Sequence, residues 1–232
     1  DHLYGNAAYG CLPQLVGREP FPDNVSASTI SWMPRWQNLD NPRQERFVRG
    51  YAVYPGGGCG GFPYYYGRFE GFGSAFKRRI KEYYPAPVGF TIQAPSLPSP
   101  DNYVDIDPEV KDPFGIPVLR FHFRWGPNEL LMWEHAKQVC AEVLRAAGGE
   151  YWGAGDKPET PGYSQHETGV CRFGNDPKRF VTNRWGQCHE VPTLYVCDAG
   201  IFPFPTDKTT TISILAFTLR ACEHLAEQLR TA

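Results

Sequence analysis

Runs of alternating apolar and polar residues, rich in aromatic and β-branched side chains, predict several strands in the first half of the chain. In the last of these runs, Leu119 and Phe121 fall on one face, which we expect to point to the core, and His122 falls on the opposite face. Turn-forming residues between positions 107 and 116 suit a short connection, so antiparallel pairing is expected. The predicted strands span residues 28–33, 46–54, 89–94, 103–107 and 118–124.

Apolar residues three and four positions apart predict three helices. Ser74 is the expected N-cap of the first helix, which ends before Pro85. Asn128 is the expected N-cap of the second, which ends at glycines 148 and 149. The third follows three threonines at 209–211, and its expected buried stripe comprises Ile212, Leu215, Ala216, Leu219, Cys222, Ala226 and Leu229.

Strands followed by interspersed helices indicate an α+β fold, in which an antiparallel sheet carries flanking helices. Residues 149–207 are predicted to be a long irregular stretch. Such a stretch inside a compact domain is usually functional or packed against another part of the protein.

Composition excludes some classes of function. The 232 residues include 23 Lys and Arg against 25 Asp and Glu, so the net charge is −2 and no nucleic-acid partner is expected. No apolar run approaches the roughly 18 residues that a membrane span needs. The seven cysteines are odd in number and lack metal-site spacing, so no metal is expected. Unpaired thiols favour a reducing compartment such as the cytoplasm, and nothing else in the sequence indicates a location.

Residues 56–61 satisfy the G-x-G-x-x-G pattern that binds a dinucleotide pyrophosphate when it lies between a strand and a helix. Here the pattern is followed by Phe-Pro-Tyr-Tyr-Tyr-Gly, which cannot form the helix N-terminus that holds phosphates. We therefore expect a surface loop at this position.

The residues with the clearest chemical potential lie near the C-terminus. His166 lies among glycines, an apolar segment ends in Asp198 and Ala199, and the last predicted helix starts with free amides near Thr209. Histidine is the commonest general base, but the residues alone favour a structural histidine over a catalytic one at this position.

Three motifs, in order and with matching spacing, resemble the glucose-methanol-choline (GMC) family of flavin-dependent oxidoreductases. The first has the form His-x-x-Gly-x-x-Arg, the second includes Leu-Tyr-Val-x-Asp-Ala, and the third is Thr-Ile-Ser-Ile at the start of the last helix. The upstream region, residues 100–117, is also similar to family members that act on sugars. The matching residues are His166, Gly169, Arg172, Gly174, Leu194, Tyr195, Val196, Asp198, Ala199, Phe202, Pro203 and 211–214.

The resemblance implies a substrate-binding domain at residues 1–160 and a C-terminal segment at 161–232. That segment would carry the catalytic loop and a helix that packs on a flavin-binding domain absent from this sequence. The pair Asp1 and His2 resembles the point where a family member's chain crosses from its flavin domain into its substrate domain.

The resemblance also implies roles for individual residues and FAD as the cofactor. His166 would be the general base, and Thr209 would stand where the family usually has Asn or His as a second partner of the substrate hydroxyl, with Asp207 or Lys208 as alternatives. Gln93 would contact the substrate. The residues expected to contact the flavin are Asp198, Ala199, Thr210 and Thr211.

The function implied is oxidation of a sugar or another alcohol by hydride transfer to flavin. The chain would then act with a flavin-binding half, either a separate chain or a part missing from this sequence. Two alternatives stay open at this point: a non-catalytic carbohydrate-binding or assembly subunit, and a redox-neutral lyase of the same family.

Overall fold

The computed structural model describes residues 2–18, 32–34, 46–57, 67, 69–163 and 166–231. They form the predicted α+β fold of antiparallel strands and helices. The chain divides into two compact units that interleave along the sequence. The first contains Asp1–Leu3, Ala94–Glu129 and Thr160–Ala232, and the second contains Tyr4–Gln93 and Leu130–Glu159. The division into domains at 1–160 and 161–232 stays a prediction.

One sheet has five strands, which are β1 (His2–Cys11), β2 (Met33–Pro34), β3 (Ala52–Gly57), β4 (Pro87–Pro95) and β7 (Glu150–Gly153). Their order in the sheet is β2, β3, β4, β1, β7. Antiparallel registers join β2 to β3, β3 to β4 and β1 to β7.

Strands β1 and β7 were not predicted, and β7 lies in the stretch expected to be irregular. Strand β1 is buried at almost every position, so its sequence is rich in small residues and lacks the alternation of a half-exposed strand. Its Gly10 has a packing role, because an added Cβ would lie 1.9 Å from the carbonyl oxygen of Glu150 on β7.

The predicted boundaries of the other strands were partly wrong. Residues 46–51 precede β3 as bends and coil, and residues 28–31 lie outside the described residues. Strand β4 includes all of the predicted 89–94.

A second, two-stranded sheet confirms the predicted antiparallel pair, formed by β5 (Tyr103–Lys111) and β6 (Pro117–His122). Asp105 lies opposite Arg120 and binds its guanidinium through two oxygens, at 2.9 and 2.7 Å. The expectation that Leu119 and Phe121 face the core was wrong, because these side chains are 59% and 67% exposed. The hairpin forms a separate two-stranded sheet, and within the described residues the side chains of Leu119 and Phe121 stay largely exposed.

Helices α1 (Gly73–Tyr83) and α2 (Pro127–Ala146) lie where they were predicted, but both caps differ. Phe72, not Ser74, occupies the N-cap position of α1 and makes no side-chain cap bond. At the start of α2, the carboxylate of Glu129 accepts hydrogen bonds from the amides of Gly126 and Leu97, at 2.9 and 2.8 Å. Asn128 is the second residue of α2 and is therefore not at the expected N-cap position, and Glu129, the third residue, satisfies the amide of Gly126 just before the helix.

Helix α3 (Thr211–Thr231) also lies where it was predicted, but the expected burial of its apolar stripe was wrong. Ile212, Leu215, Leu219 and Leu229 are between 61% and 82% exposed. Another side of the helix packs on the first unit, through Ala221 and the ring of Phe217. Among the described residues, no helix has the length and apolar character needed to cross a membrane.

Candidate active site

His166 lies in an irregular loop of the first unit and is half-buried. Its backbone carbonyl oxygen lies 3.0 Å from Nδ1 of His2, and the two imidazole rings meet edge to face with centroids 5.4 Å apart. Because a carbonyl can only accept, the hydrogen of this bond must lie on Nδ1 of His2. The backbone of His166 is therefore attached to the first strand of the described chain.

His2 is only 1% exposed. The pKa of its imidazole is lowered to about 4, mainly by burial and next by the neighbouring His166, while hydrogen bonding to the backbone of Thr206 opposes the shift. His2 is consequently neutral at pH 7.

The loop that follows His166 is joined by backbone hydrogen bonds to the segment after Asp198. The amide of Cys171 donates to the carbonyl of Gly200 at 3.1 Å, and the amide of Phe173 donates to that of Ile201 at 3.0 Å. The first and second motifs, which are separated along the sequence, thus lie side by side.

Asp198 is exposed and caps a short 3-10 helix, Ala199–Ile201, by accepting a hydrogen bond from the amide of Gly200 at 2.7 Å. Ala199, the first residue of this short helix, is buried, with 9% of its surface exposed. Burial raises the pKa of the Cys171 thiol, and the nearby carboxylate of Asp198 also raises it. An acidic side chain is therefore held in a fixed position beside the loop of His166.

Gly169 has a φ of +101°, a conformation that favours glycine, and a Cβ added there would meet nothing within 4 Å. The next residue, Val170, also has a positive φ, of 49°. The backbone beside His166 thus reverses sharply and leaves space next to Gly169.

The threonines before α3 differ in exposure. Thr209 is exposed, whereas Thr210 is 7% exposed and its carbonyl accepts the bond from the amide of Ile214, at 2.9 Å, that closes the first turn. Thr211 is the first residue of α3 and is exposed. Among the described residues, no hydrogen bond joins Thr209 to His166.

Gln93 belongs to the second unit and is 3% exposed. Its Oε1 accepts a hydrogen bond from the hydroxyl of Tyr54, but its Nε2 has no hydrogen-bond partner among the described residues. A buried donor without a partner costs about 1–3 kcal/mol, so a ligand or water molecule that accepted from Nε2 would be bound favourably.

Sequence reasoning missed two residues beside His166. Nothing in the sequence indicates that His2 contacts a residue 164 positions away. Thr168 has a hydroxyl oxygen that is buried without a hydrogen-bond partner among the described residues. In the sequence, the only feature that could have indicated Thr168 as a site residue is its position two residues after His166.

The donor set suits part of a flavin. The exposed carboxylate of Asp198, the hydroxyl of Thr168 and the amides at the start of α3 are groups that can bind a polyhydroxyl chain or an electron-rich ring edge. The surface loop expected at residues 56–61 was wrong at its first two positions, because Gly56 and Gly57 pair with β4 as the end of strand β3, and residues 58–61 lie outside the described residues. No group of three or more metal-binding side chains occurs in the described part of the chain.

The family profile described as GMC oxidoreductase matches residues 98–218, which is more than half of the chain. This chain belongs to the GMC oxidoreductase family.

The chain is also similar to two curated relatives in sequence and to one solved structure in fold. The chain is 33% identical over 135 residues to paromamine 6'-oxidase of Streptomyces fradiae, covering 57% of this chain and 24% of the relative. It is 27% identical over 163 residues to the gluconate 2-dehydrogenase flavoprotein of Pantoea cypripedii, covering 68% and 26%. The chain thus spans about a quarter of the length of these relatives. A pyridoxine 4-oxidase from Mesorbium loti shares the fold, with a TM-score of 0.53, 17% identity and coverage of 98% of this chain and 42% of that one.

Proposed function

We propose that this chain is the substrate-binding and catalytic half of an FAD-dependent oxidoreductase that converts a hydroxyl group of a sugar or another alcohol to a carbonyl. Family membership supports an oxidoreductase. The names of the relatives, an oxidase of an aminoglycoside and a flavoprotein dehydrogenase of a sugar acid, support the substrate class and the cofactor.

The observation that carries the proposal is the hydrogen-bonded junction between the loop of His166 and the turn of Asp198. It brings a half-buried imidazole and an anchored carboxylate into one region, as the implied roles of these residues require. His166 accepts the hydroxyl proton of the substrate at an imidazole nitrogen while the carbon loses hydride, and the C–O bond becomes a carbonyl. A positioned base of this kind contributes roughly two to four powers of ten in rate.

FAD, when bound, supplies the two-electron acceptor for the hydride. Asp198 and the backbone at Ala199 would hold its polar chain, and Thr210 and Thr211 would present the amides at the start of α3. Thr209, which is exposed, would hydrogen-bond the substrate hydroxyl in place of the usual Asn or His. A hydroxyl can donate or accept but is not a base at neutral pH, so the proton goes to His166.

Gln93 would contact the substrate through its amide. Within the described residues, its Nε2 is a buried donor without a hydrogen-bond partner, while its Oε1 accepts from the hydroxyl of Tyr54. A sugar or alcohol hydroxyl would supply the missing acceptor.

The apolar stripe of α3 supports the proposal that a flavin-binding half accompanies this chain. Four large aliphatic side chains on one helix face, each more than 60% exposed, form the kind of surface that marks a protein contact. We assign this surface to the flavin-binding half, whether that half is covalently linked or separate.

The test is anaerobic titration of the complete flavoprotein with sugars and simple alcohols, followed by flavin absorbance. Bleaching by one of these compounds, with one carbonyl formed per flavin, is expected. An assembly without flavin would favour a carbohydrate-binding or assembly subunit. Turnover that cleaves the substrate without any electron acceptor would favour a lyase, and either result would overturn the proposal.

A further inference from the structure

His2 is a buried titratable group in contact with the proposed base, and no step proposed above uses it. It lies at the start of β1, is 1% exposed, and donates from Nδ1 to the carbonyl of His166 at 3.0 Å. A regular, buried strand thereby holds one point of an otherwise irregular loop.

The described backbone just after His166 is irregular and forms no helix or strand. His166 is followed closely by Gly169 and Val170, both with positive φ, so the chain turns away at once. On that side the amide of Cys171 is bonded to Gly200. Within the described residues, the loop is therefore bonded at His166 itself, by His2, and again at Cys171, by Gly200.

We infer that His2 is a positioning residue, which holds the backbone of His166 and so aims its imidazole at the reacting hydroxyl. This inference rests on the proposed role of His166 as the base. A histidine suits the task because it fills a buried space and supplies a donor at Nδ1. Being neutral, it places no positive charge beside the ring that must accept a proton.

Four variants of His2 and His166 in the complete flavoprotein test the inference. In His2→Asn, the amide nitrogen lies the same number of bonds from Cα as Nδ1 and can keep the donor. His2→Gln moves the donor one bond further out, and His2→Leu removes it while keeping the branching. His166→Ala reports separately on the base.

Stopped-flow reduction of the flavin should slow roughly 10- to 100-fold in His2→Leu and His2→Gln, because small displacements of a catalytic group cost rates of this order. His2→Asn should stay within about threefold of the parent, and the substrate dissociation constant should change little in all three variants. Amide hydrogen exchange of residues 166–174, measured by mass spectrometry, should rise in His2→Leu and His2→Gln but not in His2→Asn. If His2→Leu does not fold, the comparison of Asn with Gln carries the test.

Equal rates and equal exchange in His2→Asn and His2→Gln would overturn the inference, as would a parental rate in His2→Leu. A parental rate in His166→Ala would instead overturn the proposed function. In that case the exchange data would still report whether His2 holds this loop, so the two failures are distinguishable.

Discussion

The amide of Cys171 donates a hydrogen bond to the carbonyl of Gly200 at 3.1 Å, and this bond joins two segments that each carry a family motif. On one side lies His166, and on the other lies Asp198, which caps its own short turn. Backbone contacts of this kind do not depend on side-chain identity, so single substitutions at either residue can test its chemistry without dismantling the junction.

Asp198 offers the first such test. Asp198→Ala should remove the cap of Ala199–Ile201, destabilise the turn by about 0.5–2 kcal/mol and lower the flavin content. Asp198→Asn keeps an oxygen that can accept from Gly200 and should preserve most of the stability while losing the charge. The flavin-to-protein absorbance ratio and the Tm of both variants measure the two effects. Full flavin content in Asp198→Ala would exclude a role in cofactor binding.

Thr209 tests the second partner of the substrate hydroxyl. Thr209→Val should lower kcat/KM by about one to two powers of ten, equivalent to one lost hydrogen bond of about 1–3 kcal/mol in a site closed by substrate. Thr231→Val, at the far end of α3, is the matched control and should behave like the parent. If Thr209→Val has parental kinetics, Asp207 or Lys208 becomes the residue to test.

The exposed stripe of α3 tests the contact with a flavin-binding half. Replacing Leu215 and Leu219 together by Ser should lower the Tm of the complete protein and release flavin at a lower temperature, since burying one leucine contributes about 1.5–3 kcal/mol. The control is the double variant Glu223→Ser with Glu227→Ser, which changes the helix propensity of α3 without removing apolar surface. Equal effects of the two double variants on flavin release would argue against the contact.

Buried thiols give a prediction about pH. Burial raises the pKa of Cys140 to about 12 from an unfolded value of 9.0, so folding favours the protonated thiol. The stability that it contributes is fully present below pH 9 and is lost as the pH rises from 9 towards 12. Denaturant unfolding at pH 8 and pH 10.5 should show a smaller loss of stability in Cys140→Ala than in the parent. An identical loss of stability in Cys140→Ala and in the parent protein would contradict the raised pKa of Cys140.

Local patterns were enough to predict the α+β class, three helices and the hairpin of β5 and β6. Strand β1 could not be predicted, because burial of nearly every position removes the alternation by which a strand is recognised. The sequence predicted which apolar residues of α3 share one face, but periodicity does not indicate whether the surface that covers this face belongs to the same chain. Of the candidate site, motif resemblance reached His166 and Asp198, whereas His2 depends on a contact across 164 residues that no local pattern encodes.

The central claim is that His166 is the base for alcohol oxidation, and the rate of flavin reduction by substrate tests it most directly. In the complete, flavin-loaded protein, His166→Ala should slow anaerobic flavin reduction by roughly two to four powers of ten while the flavin spectrum stays parental. A rate in His166→Ala equal to that of the parent protein would contradict the claim.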